Sequence, residues 1–337
     1  MDFSVIIPSR NRPVLLAKAI ESVLLQDHHS IEVLVVNDGS EGDNAEKYAQ
    51  MAEALAPKVR FIDLQWTATG HGSSYAMNMG VEQAQGRYIC FLDDDDFWTD
   101  TEHLSRTFEL ISRCDDQAAD VIYAEQRAVK GGREVSETLW LNNLLSSDIE
   151  RDAIGDGAYQ LSLEALLTRH AFAHFNTSVV RRSFFNRIGG LDNNLRYEND
   201  RDFYLRCIDQ ADCILFQPRV IGQHNVPDLA RQDNLSTVVN DLQKYLYQTQ
   251  LYDKSMLFAG NALMRQYARD GKADTLKRIT RLLVGQGDFK RAGWYARQAV
   301  GVGGGLKWHI LSGSVFVLWR LALSLPNRFL KPIKDLS

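Results

Sequence analysis

The sequence predicts an α/β protein, a mostly parallel sheet with helices on both faces, followed by a C-terminal helical appendage. Three observations predict it. Short apolar runs rich in β-branched residues alternate with segments of helical period from residue 3 to residue 92. Strands separated by crossover helices pair in parallel. Beyond residue 254 the strand-type runs give way to helical spacing. The composition, 45% hydrophobic and 24% charged over 337 residues, excludes a disordered, collagenous or wholly coiled-coil chain.

The elements follow in order. Phe3–Ile7 is a short buried-type strand, ended by Pro8. Asn11-Arg12-Pro13 opens a helix, since proline suits the first helical position, and Leu15, Leu16, Ala19, Ile20, Val23 and Leu24 continue it at helical spacing. Ile31–Val36 is a second strand, turning at Asn37-Asp38-Gly39-Ser40. Val59–Leu64 is a third. A helix follows the glycine-rich residues 70–74 and runs to about Ala84, and after Gly86 a fourth strand occupies Arg87–Leu92. Residues 97–253 are mixed, without a clear period. Helices are predicted at Ser255–Arg269, Ala273–Gln286 and Asp288–Val300, punctuated by Gly271 and Gly287. This divides the chain into a body, residues 1–253, and a helical region, residues 254–337. Within the body, residues 1–96 form one half and residues 97–253 the other.

The net charge of −5 hides a split. Residues 1–253 hold 23 Lys and Arg against 39 Asp and Glu; residues 254–337 hold 15 against 4. An acidic body disfavours nucleic acid as a partner, and a basic tail suits an anionic membrane surface. Ile310–Leu325 is apolar except for Arg320, and Pro326 closes it. It is shorter than the roughly 20 residues a membrane span needs. Lys307, Arg328, Lys331 and Lys334 flank it. It reads either as a helix lying in the membrane interface or as one docking on the rest of the chain. Cys90, Cys114, Cys207 and Cys213 form no C-x-x-C pair, and the N-terminus has no signal-peptide pattern. The expected setting is therefore reducing and cytoplasmic, peripheral on the inner membrane face if the tail binds there.

Ligands of parallel sheets bind at the carboxyl ends of strands, where Asp38 and Asp93 stand. In Asp93-Asp94-Asp95-Asp96 four adjacent carboxylates repel one another unless a cation relieves them, and Mg²⁺ or Mn²⁺ prefers such oxygen ligands. The plainer reading is a solvated acidic turn. A second cluster runs from Tyr197 to Arg206. There Asp202 and Arg206 suit a surface i,i+4 pair, while Asp200 points elsewhere and could act as a general base. Gly301–Gly305 lacks dinucleotide-loop spacing, and neither a Walker loop nor H-E-x-x-H occurs.

An ordered set of motifs now stands out. It comprises Ser4–Pro8, Asn11-Arg12, Asn37-Asp38-Gly39-Ser40, Ala76-x-Asn78-x-Gly80, Phe91–Asp96 with Trp98, Gly189-Gly190-Leu191-Asp192 and Asn199-Asp200-x-Asp202-x-x-Leu205-Arg206. Together, over roughly residues 3–225, they resemble family 2 of inverting nucleotide-sugar glycosyltransferases. The resemblance implies the Rossmann-like A-type glycosyltransferase fold and metal-dependent transfer from a nucleotide sugar, a UDP-sugar foremost. The implied acceptor is a glycan or lipid-linked hydroxyl in bacterial surface-polysaccharide assembly. By the same resemblance Pro8, Ser9, Arg10 and Asp38 meet the nucleotide, Asp93 and Asp94 meet the donor, and Asp95 with His224 hold Mn²⁺ or Mg²⁺. Asp200 is the implied catalytic base. His71 and His174 rank behind His224. Two positions depart from the pattern: Met77 replaces a frequent arginine, and Asn199-Asp200 replaces a Glu-Asp pair, with Glu198 one place early. The base thus lies among Asp200, Asp202 and Glu198, with Asp200 favoured by its distance to Leu205-Arg206. The rival readings are a sugar nucleotidyltransferase and a non-catalytic nucleotide-sugar or cation-binding protein.

Overall fold

Strand β1 (Phe3–Ser9) is buried along its whole length and pairs in parallel with a strand on either side. The computed structural model describes residues 1–113, 119–135, 141, 144, 152–155, 157–167, 172–226, 235–303, 305, 308–310 and 312–313. The chain divides into two compact units, residues 1–231 and 232–337. One unbroken helix, Asp241–Phe258, runs through residue 253.

In the first unit β1 is followed by α1 (Pro13–Leu24), β2 (Ile31–Asn37), α2 (Asp43–Leu55), β3 (Val59–Asp63), α3 (Ser73–Glu82), β4 (Tyr88–Phe91) and β5 (Phe97–Trp98). Then come α4 (His103–Arg113), β6 (Val121–Lys130), β7 (Arg133–Glu134), β8 (Asp152–Gly155), β9 (Ala158–Gln160), α5 (Leu163–Leu167) and a 3-10 turn, Phe175–Thr177. β10 (Ser178–Arg181), α6 (Arg182–Arg187), α7 (Asn199–Gln210) and β11 (Ile214–Asn225) complete the unit. The sheet order is β3-β2-β1-β4-β10-β6-β11-β9-β8, with β5 on β11 and β7 on β6. β3, β2, β1 and β4 are parallel, as are β6 and β11; β10 enters antiparallel between β4 and β6.

Both faces of this sheet are covered. Val5, Ile7, Val33, Val35 and Cys90 form a core with Leu16, Ala19, Ile20 and Val23 of α1 and Leu104 and Leu110 of α4. On the opposite face α3 lies close to β1: a Cβ at Gly80 would meet Ile6 Cγ2 at 2.6 Å, so only glycine fits. Phe91 packs there against Phe175, Phe185 and Phe203. Pro8 does not end β1. Ile6 accepts the last bond toward β4, from the Leu92 N–H. Since a parallel ladder alternates sides, the donor Pro8 lacks falls beyond that pairing.

His103, at the start of α4, is buried with no hydrogen-bond partner at either ring nitrogen. Burial drives its pKa down to about 3, only partly offset by Asp100. The unfolded chain, with a pKa near 6.5, therefore binds the extra proton between these values, and stability falls as pH falls from about 6.5 toward 3. His103→Phe is expected to flatten this acid limb, whose limiting slope is about 1.4 kcal/mol per pH unit. Denaturant unfolding at pH 7, 5 and 4 measures it; parallel limbs for the two proteins would sink the assignment.

The second unit contains α8 (Leu235–Val238), α9 (Asp241–Phe258), α10 (Ala262–Gly285) and α11 (Phe289–Val302). Asn240 and Gln243 form a capping box at the start of α9. Leu276, Ile279 and Leu283 of α10 pack with Ala292, Ala296 and Ala299 of α11 and with Trp308. Gly271 does not break a helix as its residue type predicted. It lies within α10, where a Cβ would meet Tyr252 Cζ at 2.4 Å, so its missing side chain admits the α9 ring. Beyond Gly313, the predicted apolar helix Ile310–Leu325 lies outside the described residues, as do Cys114 and Lys307.

Candidate active site

The carboxyl ends of β1, β2 and β4 converge with the start of α7. At the β2 end, the Asp38 carboxylate accepts the His71 N–H at 2.9 Å and the Gly72 N–H at 3.0 Å, and its Oδ1 lies 2.7 Å from His71 Nδ1. It thereby fixes the glycine-rich loop before α3. Arg196 grips that loop from the other side through the Gly70 carbonyl at 2.8 Å. Gly70 has φ +66°, and a Cβ there would run into Arg10 and Asp38. Arg10 itself donates to the Thr67 carbonyl at 2.7 Å.

The acidic run after β4 splits by environment. Asp94 is buried, accepting from Ser9 Oγ at 2.5 Å and Arg12 Nη1 at 3.2 Å. Asp95 faces the same guanidinium at 3.4 Å. Asp96 is almost fully enclosed and accepts three bonds: from Asn176 Nδ2 at 2.5 Å, the Asn225 N–H at 2.6 Å and His224 Nδ1 at 2.7 Å. Asn176 also takes the Asp93 N–H at 2.9 Å. Burial, and then repulsion from Asp96, pushes Asp93 well above the usual carboxylate range and Asp95 up to about 7. Burial opposes protonation of His224, but the Asp96 bond and the Asp96, Asp93 and Asp95 charges outweigh it and hold its pKa at about 9.

His174, just before β10, lies beside this run. Its Nε2 lies 3.7 Å from Asp93 Oδ2 and 4.0 Å from Asp200 Oδ2, and its ring centroid is 5.0 Å from that of His224. Burial, then the neighbouring His224 charge, lowers its pKa to about 4. Among the described residues Asp96, His174 and His224 offer ligand atoms all within 4.8 Å of one another. Two imidazoles and a carboxylate are a donor set that fits a divalent transition ion.

The three base candidates separate here. Asp202 is buried and held by Arg206 at 2.9 Å, a buried pair and not the surface pair its spacing suggested. Glu198, at φ +64°, precedes α7 and pairs with Arg201 at 3.6 Å. Asp200 lies in the first turn of α7, with Oδ1 taking the Arg201 N–H at 2.7 Å and Oδ2 toward His174. Asn199 ties this turn to Ser73 and Ser74 of α3 at 3.1 Å. Asn78 in turn bonds Leu191 in both directions, N–H to Oδ1 at 2.9 Å and Nδ2 to carbonyl at 2.8 Å, which docks the Gly189–Asp192 turn. Met77, where an arginine was expected, is wholly buried in the core.

The predicted residues Ser9, Arg10, Asp38, Asp93, Asp94, Asp95, Asp200 and His224 thus stand at one end of the sheet, beside Pro8 at the end of β1. Asp95 meets Arg12 and lies outside the trio Asp96, His174 and His224. Asp96 was hidden as the fourth of four identical residues. His174 and Asn176 carried no motif of their own, and only the insertion of β10 between β4 and β6 brings them in.

A sequence profile of Glycosyl transferase family 2 matches residues 4–189. The GalNAc(5)-diNAcBac-PP-undecaprenol beta-1,3-glucosyltransferase of Campylobacter jejuni is 36% identical over 94 residues, which is 28% of this chain and 29% of that one. In fold, Staphylococcus aureus TarS residues 1–349, solved with UDP-GlcNAc, superposes with a TM-score of 0.63 at 20% identity, over 89% of this chain and 82% of that one. The mannosyltransferase PcManGT of Pyrobaculum calidifontis, solved with GDP-Man and Mn²⁺, gives 0.55 at 14% identity, over 96% and 81%.

Proposed function

The chain belongs to glycosyl transferase family 2, and from that membership we propose that it moves a sugar from a nucleoside-diphosphate donor, a UDP-sugar foremost, to a hydroxyl of a glycan or lipid-linked acceptor, with inversion. One observation carries the reading: the Asp200 carboxylate comes within 4.0 Å of His174, beside the acidic run that ends β4. Asp200 takes the acceptor proton as the acceptor oxygen attacks the anomeric carbon. The bond from that carbon to the diphosphate breaks, and its electron pair leaves with the nucleoside diphosphate. Attack from the side opposite the leaving group inverts the carbon, so no second carboxylate nucleophile is needed. Residues 1–96 supply the donor side: Pro8, Ser9, Arg10 and Asp38 for the nucleotide, Asp93 and Asp94 for the rest of the donor.

A divalent cation, Mn²⁺ or Mg²⁺, would neutralise the charge growing on the departing diphosphate. His224 and Asp95 would hold it, with Asp96 orienting His224 through Nδ1 at 2.7 Å. The Mn²⁺ complex of the Pyrobaculum neighbour supports a divalent cation, and the UDP-GlcNAc complex of TarS supports the donor class. Incubation with UDP-sugars and GDP-mannose plus Mn²⁺ or Mg²⁺ tests the reaction. Release of nucleoside diphosphate is expected; formation of UTP and sugar 1-phosphate from a UDP-sugar and added pyrophosphate would assign nucleotidyl transfer, and no turnover of any donor would leave a binding protein.

The undecaprenol-linked substrate in the Campylobacter relative's name and the basic residues 254–337 support a role at the cytoplasmic membrane face, in surface-polysaccharide assembly. Among the described residues no helix is long and apolar enough to cross a membrane. The chain is expected to co-sediment with anionic vesicles more than with neutral ones, and to lose that preference when residues 302–337 are deleted. Equal binding by the truncated chain would remove the anchor.

A further inference from the structure

Glu125 is a buried carboxyl that neither the acidic run nor the α7 cluster uses. It lies in β6, is 1% exposed, and makes no hydrogen bond at either oxygen. The amides of Gln126 and Leu141 approach it without reaching bonding geometry. Burial raises its pKa to about 8, so at neutral pH it is a carboxylic acid. Leaving such a group unpaired costs on the order of 1–3 kcal/mol, and a fold retains it where something else fills the need.

Its position says what that is. Side chains alternate along a strand, so Glu125 shares the face of Tyr123, whose ring centroid is 5.6 Å from that of Tyr204 in α7. Tyr204 is one helical turn past Asp200. Along β6, Tyr123 pairs with Ser178 of the antiparallel β10, and Gln126, the residue after Glu125, has its Oε1 3.5 Å from Nδ2 of Asn176, the residue that holds Asp93 and Asp96. Glu125 therefore sits beneath the first turn of α7, on the face of the sheet that carries Asp200. Phe172 and Arg201, stacked at 5.0 Å, belong to the same face through the Phe172–Tyr204 contact at 6.4 Å.

We propose that Glu125 is an acceptor-recognition residue whose carboxyl bonds a hydroxyl of the acceptor sugar entering beside Asp200. A neutral carboxyl offers one O–H donor and a carbonyl acceptor, the complement of a sugar hydroxyl, which both donates and accepts. A site built this way discriminates against acceptors that lack the hydroxyl, because the buried carboxyl is then left unpaired. The inference rests on the glycosyl-transfer reading above and adds the acceptor contact to it.

Wild type, Glu125→Gln and Glu125→Met are compared with UDP-GlcNAc, UDP-glucose, UDP-galactose and GDP-mannose. Octyl β-glycosides of glucose, galactose and N-acetylglucosamine serve as probe acceptors, alongside water. Nucleotide release into water is expected to stay within about twofold in all three proteins. Glu125→Met is expected to lower acceptor kcat/KM by roughly tenfold, the loss of one buried hydrogen bond, through KM. Glu125→Gln should recover most of it. The Tm of Glu125→Met should hold or rise, since an unpaired polar group has gone. Unchanged acceptor kinetics in Glu125→Met would overturn the inference, as would a loss that tracks a fall in Tm and in nucleotide release. Wild-type release that no glycoside accelerates overturns the sugar-acceptor contact alone. No release from any donor overturns the glycosyl-transfer reading on which it rests.

Discussion

Asp200→Asn is expected to slow sugar transfer by about 10²–10⁴-fold, the usual contribution of a positioned general base, with donor affinity unchanged. The amide is isosteric and can still accept the Arg201 N–H, now at 2.7 Å from Oδ1. What it loses is the capacity to take a proton at the oxygen facing His174. The neighbouring carboxylates make contrasting controls. Asp202 is committed to Arg206 with both side chains largely enclosed. Removing one partner of such a pair strands a charge, so Asp202→Asn should lower stability by about 3–5 kcal/mol at most and kcat far less. Glu198 is held by Arg201 before the helix begins. Single-turnover rates, with Tm as the control for folding, separate these outcomes. A full rate in Asp200→Asn, or a larger rate loss in Asp202→Asn without a fall in Tm, would move the base to another residue.

The parallel half of the sheet was legible because its strands are buried on both faces, which leaves near-continuous apolar runs such as Ile31–Val36. Strand ends were legible too, and with them Asp38 and Asp93. The misreadings share a physical cause: a residue's local preference yielded to its tertiary partner. Pro8 continues β1 because the donor it lacks is not needed there. Gly271 stays helical because Tyr252 fills the space a side chain would take. The second half resisted reading because β10 enters antiparallel and β11 shifts register between Phe216 and Gly222. For the same reason the sequence ranked His174 behind His224 and did not single out Asn176 or Glu125. Each gains its meaning from a strand that pairs across more than 50 residues of chain.

Chelation of divalent cations is expected to abolish transfer, and Mn²⁺ or Mg²⁺ to restore it. Four carboxylates follow β4, and Arg12 is paired with two of them, Asp94 and Asp95. The remaining pair differ. Asp96 is saturated by Asn176, Asn225 and His224, whereas Asp93 is left with a raised proton affinity and His174 at 3.7 Å. A saturated carboxylate on Nδ1 of His224 is the arrangement that orients an imidazole toward a metal through its other nitrogen. Asp96→Asn should therefore weaken metal-supported UDP binding by about 10–100-fold, and His224→Ala should weaken it at least as far. His174→Ala separates the two geometries available. If the cation sits in the trio Asp96, His174 and His224, whose ligand atoms lie within 4.8 Å, it loses metal binding as completely as His224→Ala. If Asp95 and His224 hold the cation, His174→Ala keeps UDP binding and loses rate through Asp200, its neighbour at 4.0 Å. Isothermal titration of UDP with and without Mn²⁺ reads the difference, and UDP binding in His224→Ala that still responds fully to Mn²⁺ would sink both.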